Sequence, residues 1–300
     1  MMRPTFYFTL GFLFWSLVVF AQPKTVVFQT DFGLKDGAVS AMKGVAMGVS
    51  PNLKLFDLTH EIPAYDIWEA AYRLEQTARY WPKGTVFVSV VDPGVGTARK
   101  SVVLKTKSGH FFVGPDNGTF TLVAESLGVA EVREINEAIN RRKDSKASYT
   151  FHGRDVYAFT AARLAAQIIV LAQVGRKLSN EVVQISYQKA IFENNKISGN
   201  IPVLDVQYGN VWTNIPAALF AKLDLKKDQK LTIEIYDKDK RIYEGTAPFA
   251  NTFGEVAEGE TLCYFNSLMN LSIAINMGDF AKKHNVKSGA DWRIVVQKKD

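Results

Sequence analysis

TVFVSVVDPGVGTARK, residues 85–100, joins an apolar run to a glycine-rich turn. Residues 86–91 are too few for a helix and rich in β-branched side chains, the pattern of a strand buried on both faces. Asp92 ends the run, and Pro93, Gly94 and Gly96 force tight turns directly behind it. An acid at the end of a buried strand, followed by such a turn, sits where open α/β sheets bind ligands. Arg99 lies close enough for the turn to fold it back toward Asp92. Alone, an Asp–Arg pair reads as a structural ion pair; a second polar cluster changes that reading.

The second cluster is TFHGRD, residues 150–155, ahead of an apolar, Ala-rich stretch at 156–172 that predicts a helix. A His, an Arg and an Asp gathered at a helix N-terminus meet free backbone N–H groups and a helix dipole. His152 taken singly reads as a capping or partly buried histidine. Asp155 reads as a first-turn acid or the ion-pair partner of Arg154, hence structural.

The surrounding pattern places both clusters in an α/β layer domain. Residues 25–30 read as a strand, again ended by an acid, Asp31, with Gly33 behind it. Residues 38–49 predict a helix, 53–58 a strand, and 66–80 a helix with an acid in its first turn. Residues 101–106 and 110–113 bracket a hairpin, 114–118 (GPDNG) a turn, and 120–126 the start of another helix. The style changes after Gly175. Residues 180–200 are polar with two strand-like pieces. Short β-rich runs follow at 202–206, 210–215, 231–236, 241–243, 261–265, 271–275 and 293–296. Closely spaced short strands mean a small sandwich or barrel. The expected organisation is a Rossmann-like layered α/β domain over 22–178 and a smaller, all-β, barrel-like domain over 195–300.

A chain of 300 residues, 47% hydrophobic and 22% charged, accommodates one large or two medium globular domains, without repeats or disordered tracts. Residues 1–21 stand apart. Arg3 precedes an apolar core at 5–20, and Ala21 offers a small residue for cleavage before Gln22. That is the layout of a secretory signal peptide, which implies a periplasmic or secreted protein with no lipid or membrane anchor. Its removal takes one Arg and no acid, lowering the formal charge from +6 to +5. The one cysteine, Cys263, cannot pair within the chain. No basic run with interleaved aromatics points to nucleic acid, no His/Cys/carboxylate spacing to a metal, and no P-loop or dinucleotide fingerprint to a nucleotide cofactor.

Six motifs, TDFG (30–33), VDPGVGT (91–97), GPDNG (114–118), TFHGRD (150–155), YGNVWTN (208–214) and FNS (265–267), together resemble the S-adenosyl-L-methionine hydroxide adenosyltransferase family. These are adenosine-forming S-adenosylmethionine hydrolases, related to the fluorinase and chlorinase. The likeness spans nearly all of the chain after residue 21, in the family's motif order. It implies an N-terminal α/β domain, a C-terminal barrel-like domain, and a homotrimer with active sites between subunits. It also implies a catalytic Asp92–Arg99–His152 triad and a ribose-binding Asp31. Adenine contacts fall on Asn210, Trp212 and Phe253, and methionine contacts on Asp205 and Ser267. S-adenosylmethionine would be substrate, not cofactor. The chain departs from the family pattern at Leu268 and Met269, where relatives often have a small residue or an Arg, then Gly.

The residue types suit that chemistry. Attack on C5′ of a sulfonium needs a positioned water, loss of its proton and an in-line pose. His152 or Asp92 could take or relay the proton. Arg99 could hold Asp92 ionised and stabilise hydroxide character. Asp31 has two acceptor oxygens for a vicinal diol, and Trp212 and Phe253 offer faces for a purine. One rival is a halogenase on the same scaffold; an intact triad and the absence of a hydroxyl at Gly153 disfavour it. The others are a non-catalytic envelope protein that binds the nucleoside, and a purely structural envelope protein. Export carries its own test: intact-mass analysis of the protein from its native host should find Gln22 at or near the N-terminus, and a full-length chain would refute cleavage.

Overall fold

The computed structural model describes residues 24–226 and 229–299; the expected signal peptide at 1–21 lies outside them. The first strands and helices follow the expected alternation: β1 (Thr25–Thr30), α1 (Ala38–Val49), β2 (Lys54–Thr59), α2 (Ile67–Ala78), β3 (Val86–Val90), β4 (Ser101–Thr106), β5 (Phe111–Pro115), α3 (Thr121–Leu127), β6 (Val129–Glu134), α4 (Glu137–Asn140) and α5 (Phe159–Ala165). The six strands form one mixed sheet in the order β2-β1-β3-β5-β4-β6. Strands β2, β1, β3 and β5 run parallel, and the β4–β5 and β4–β6 pairs are antiparallel.

The alternation of side chains explains the layers. Val26, Phe28, Val86, Val88 and Val90 project into a core shared with Met42 and Ala46 of α1 and with α5. Val27, Phe87, Val102, Leu104 and Phe112 project from the other face against Leu74 and Ala78 of α2 and Val123 of α3. Every residue of β1 and β3 is buried, because helices cover both faces.

The connection from β1 runs to β2 on one side, and β3 returns on the other. The crevice between the carboxyl ends of β1 and β3 is therefore the switch point of the sheet, the usual ligand position. The register pairs Thr30 with Val90. Asp31 and Asp92, one and two residues further on, emerge side by side.

β6, the short α4 and the helix expected over 156–172 differ from expectation. β6 was not anticipated, since VAEVRE contains one fully buried residue, Val132. The helix expected over 156–172 is shorter and irregular. A π-helical segment spans Gly153–Ala158, α5 ends at Ala165, and Gln167 turns the chain with φ of 61°. The apolar run beyond it imitates a helix, yet only Ile169 joins the core, while Ile168 and Val170 are exposed.

The second half is built mainly of strands, with two short helices at Ala217–Phe220 and Phe280–His284 that an all-β reading did not include: β7 (Ile191–Glu193), β8 (Lys196–Asn200), β9 (Val203–Asp205), β10 (Asn210–Pro216), β11 (Lys230–Asp237), β12 (Lys240–Pro248), β13 (Thr261–Phe265), β14 (Asn270–Ile275) and β15 (Trp292–Lys298). Two antiparallel sheets result, β13-β14-β10-β9 and β12-β11-β15-β8-β7. Alternate residues such as Leu231, Ile233 and Ile235 of one sheet, and Leu271, Ile273 and Ile275 of the other, fill one core between them. The two halves dock through α2, where Trp68 Nε1 donates to the Pro202 carbonyl at 2.8 Å, a buried contact. Among the described residues no helix is long and apolar enough to cross a membrane.

The GPDNG turn braces the switch point. Asn117 Nδ2 donates to the Val91 carbonyl at 2.8 Å, and Asp116 accepts from the Val183 N–H at 2.8 Å. Burial raises the Asp116 pKa above the usual carboxylate value. Gly114 is required for closeness: a Cβ there would stand 2.3 Å from the Ser89 carbonyl oxygen and 3.1 Å from the Phe120 ring. Gly114→Ala should cost about 1–3 kcal/mol as overpacking. Chemical denaturation should show this as a lower midpoint at unchanged slope, and an unchanged midpoint would mean β3 and β5 can separate freely.

Candidate active site

Two turns supply the charged groups of the site. In the turn behind β3, the Val95 N–H donates to the Asp92 carbonyl and the Thr97 N–H to the Gly94 carbonyl, folding Arg99 back. Arg99 Nε donates to Asp92 Oδ1 at 2.9 Å and Nη2 to Oδ2 at 2.5 Å. This is the fork geometry in which Arg grips a carboxylate with two bonds. Nη1 donates to Ser101 Oγ at 2.9 Å, and Ser101 in turn contacts the Tyr157 hydroxyl at 3.1 Å. The fourth contact is Nη2 to His152 Nδ1, 3.1 Å. The Asp92 and Arg99 side chains are 5% and 11% exposed. Burial is the largest single influence and opposes the guanidinium charge, but the hydrogen bonds to Asp92, together with the electrostatic pull of Tyr157, Asp92 and Glu137, outweigh it and raise the Arg99 pKa.

His152 enters from the π-helical segment, which begins immediately after it. Such segments place one residue more per turn than an α-helix and recur at functional sites. His152 is buried. Because a guanidinium only donates, Nδ1 must be the accepting nitrogen and Nε2 carries the proton of the neutral ring. Burial holds the His152 pKa below the ordinary histidine value; Glu137 pulls it back up, and Arg99 and Arg141 push it further down. The neighbouring Asp155 has the structural role read from sequence. It is fully buried and accepts from Arg154 Nη2 at 2.8 Å and from Arg142 Nε at 2.9 Å.

A cleft of about 270 Å³ lies over this arrangement, lined by Asp31, Phe32, Tyr65, Asp92, Val95, Phe151, His152 and Gly153 among others. Arg99 is not part of its lining and lies behind Asp92 and His152. The structure thus brings together four expected residues, Asp31, Asp92, Arg99 and His152. Asp31 Oδ2 accepts from the Tyr65 N–H at 2.9 Å. Tyr65 was not singled out from sequence; it holds a left-handed backbone, φ 69°, at the rim of the cleft, and no residue pattern marks that conformation in a tyrosine.

The remaining expected residues lie in the second half of the chain. Asp205, Asn210 and Phe253 line a separate cleft of about 720 Å³ with Tyr208, Tyr264 and residues 275–279. Asn210 Nδ2 donates to Asp205 Oδ2 at 3.2 Å. Trp212 and Ser267 are not in that lining: Trp212 is half-buried on β10 with its Nε1 unpartnered, and Ser267 is exposed in the β13–β14 turn. Tyr264 supplies the aromatic wall instead, 5.0 Å from Phe253. Met269, at the point of departure from the family pattern, adopts φ of 60°, the backbone that glycine takes at no cost. No residue lines both clefts. Among the described residues no group of three or more His, Cys, Asp or Glu side chains could hold a metal ion.

Comparison with known proteins bears on the two halves of the chain. The SAM hydroxide adenosyltransferase N-terminal domain matches residues 26–175 and the C-terminal domain residues 199–293. The chain is 38% identical to an (R)-S-adenosyl-L-methionine hydrolase of Methanocaldococcus jannaschii over 71% of its length and 70% of that protein. It is 34% identical to the hydrolase of the same name from Salinispora tropica, over 90% and 97% of the two chains. A fluorinase of Nocardia brasiliensis is 28% identical over 90% and 96%. The crystal structure of an uncharacterized conserved protein from Thermotoga maritima superposes with a TM-score of 0.82 at 39% identity, covering 91% of this chain and 99% of that one. With both domains matched, the chain belongs to the S-adenosyl-L-methionine hydroxide adenosyltransferase family.

Proposed function

We propose that Asp92, Arg99 and His152 position and deprotonate the water with which this enzyme hydrolyses S-adenosyl-L-methionine to adenosine and L-methionine. The hydrolase relatives, at 31–38% identity, support the reaction. The observation that carries the residue assignment is the Arg99 fork, which ties Asp92 and His152 into one wall of the cleft that also holds Asp31. Water oxygen attacks C5′ opposite the sulfonium. The C5′–S bond breaks, both its electrons pass to sulfur, and methionine leaves as a neutral thioether. One water proton remains on the new 5′-hydroxyl and the other is lost.

The hydrogen-bond directions choose the acceptor of that proton. The Nδ1 lone pair of His152 receives Arg99, and its Nε2 is already protonated, so the ring has no free lone pair. Asp92 keeps lone pairs beyond those Arg99 engages and faces the cleft, which makes it the acceptor. His152 orients and Arg99 fixes the pair from behind. Asp31 takes the ribose diol, with its Oδ2 orientation set by Tyr65. The names of the relatives specify the (R) sulfonium, so an assay of both sulfur epimers defines the substrate.

A halogenase reading has less support. Gly153 lines the cleft, and a Cβ added there would meet Val90 at 3.3 Å and Met42 at 3.4 Å, which leaves a serine hydroxyl little room. Product analysis in chloride and fluoride buffers separates halogenation from hydrolysis, and the lack of any product would favour a binding protein.

Adenine and methionine recognition by Asp205, Asn210 and Phe253 requires the second cleft. We propose that a complete site joins the first cleft of one copy to the second cleft of a neighbour in a homotrimer. Exposed apolar side chains flank both, with Tyr65 71% and Met277 82% exposed. Export before action on the substrate is proposed from residues 1–21 alone.

Asp92→Ala, which removes the proton acceptor, should lower kcat by roughly 10²–10⁴-fold, and His152→Ala and Arg99→Ala should lower it as well, while the dissociation constant for S-adenosylmethionine changes little in all three. Loss of affinity at near-normal kcat would make the three residues a binding network. Wild-type kcat should fall as the pH drops through the lowered His152 pKa, below the ordinary 6.5, because protonated Nδ1 cannot accept from Arg99.

The shared site has a separate test. His152→Ala and Asn210→Ala proteins, each inactive, should regain activity in about one quarter of sites when co-assembled at equal amounts, as a heterologous ring requires. No recovery in verified mixed trimers would place each site within one chain.

A further inference from the structure

Among the described residues, the buried His152 Nε2 has no hydrogen-bond partner. A carboxylate is nevertheless near: Glu137 Oε2 stands 3.7 Å away, just beyond hydrogen-bond reach. We propose that Glu137 is a positioning residue of the reaction, which receives the His152 Nε2–H and so keeps the Nδ1 lone pair turned to Arg99. The proposal rests on the triad reading above and extends it to a chain of four: Glu137, His152, Arg99, Asp92.

Three observations carry it. First, a buried N–H left unpaired costs about 1–3 kcal/mol, and hydrogen bonds of a resting site commonly tighten when substrate binds. A closure of under 1 Å suffices here. Second, Glu137 is held in place. It opens α4, whose Asn136 cap accepts from the Ala138 N–H at 3.0 Å. At the other end, buried Asn140 donates to the Val174 carbonyl at 2.8 Å, and its own carbonyl accepts from Thr160 Oγ1 of α5 at 3.1 Å. Third, Glu137 Oε2 accepts from Arg141 Nη2 at 2.7 Å, and the Arg141 guanidinium lies 4.7 Å from the Tyr149 ring centroid. The carboxyl group is therefore oriented before His152 uses it.

The charged and titratable groups facing His152 are Arg99 and Asp92 from the turn behind β3, Glu137 of α4 and Arg141 just after it, Tyr157 on the π-helical segment, Tyr149 across the rim, and Asp31 across the cleft. Of these, Glu137 and Asp92 favour the protonated ring and Arg99 and Arg141 disfavour it. The sign is then fixed. Removing the Glu137 charge lowers the His152 pKa and moves the acid limb of kcat to lower pH; removing the Arg141 charge moves it to higher pH.

Glu137→Gln is the informative variant. Arg141 and His152 both approach Oε2, so a glutamine oxygen there still serves Arg141 and still faces the Nε2–H, and the variant removes the charge alone. The chain has four histidines, so ¹⁵N-histidine NMR of the free protein can follow His152, assigned by His152→Asn. The wild type should show one tautomer, protonated at Nε2. Glu137→Gln should keep that tautomer, which Arg99 still imposes, and titrate at lower pH. Its kcat should fall about tenfold with KM within about twofold, and its acid limb should follow the titration. Arg141→Gln should shift both midpoints the other way, and decides the sign if the first variant does not fold. An unshifted His152 titration, or a lower kcat with the acid limb in place, would overturn the proposal. A wild type with no turnover would instead refute the hydrolase reading, while the histidine titration alone would still decide the contact.

Discussion

A guanidinium group donates hydrogen bonds and never accepts them, and Arg99 spends its donors on Asp92, Ser101 and His152. That one-way character propagates. It leaves Asp92 as an oriented carboxylate, forces His152 into the neutral tautomer protonated at Nε2, and turns Ser101 toward the Tyr157 hydroxyl. The Tyr157 hydroxyl is itself kept protonated by burial, which raises its pKa. Replacing Arg99 by lysine would keep the charge and lose the fork, so the two are not equivalent here.

The scaffold exists to hold that group at the edge of a sheet. β1 and β3 are buried on both faces and paired in register, which sets Asp31 beside Asp92 without help from side-chain contacts between them. The Asn117 bond to the Val91 carbonyl fixes the last peptide before Asp92. Order at the site is thus inherited from the core, where the cost of disorder is greatest.

Much of this was legible in the residues. An apolar run of six closed by Asp-Pro-Gly can be little else than a buried strand feeding a turn, and Arg99 reaches back as its spacing implies. Alternation made the later strands readable, as in β11, where Leu231, Ile233 and Ile235 are buried between partly exposed neighbours. What escaped had no local signature. β6 has too few buried residues to show a period, and the apolar residues after Ala165 continue a helical pattern that Gln167 breaks by backbone conformation alone. Glu137 and Tyr65 reach the site through tertiary placement. Trp212 and Ser267 came from resemblance rather than from pattern, and a single chain leaves both off the cleft wall.

The π-helical segment after His152 has a further consequence for how this chain tolerates change. A π turn is an α turn carrying one surplus residue. Each residue of a regular helix advances the side chains by roughly 100°. Deleting one residue within 153–158 would remove that surplus and let the segment close as an ordinary α turn, with His152 and α5 keeping nearly their bearings. Identity, at this point of the chain, is more tightly constrained than length: substitutions along the segment are judged one by one by the core, whereas a single deletion is absorbed by the turn that already carries one residue to spare.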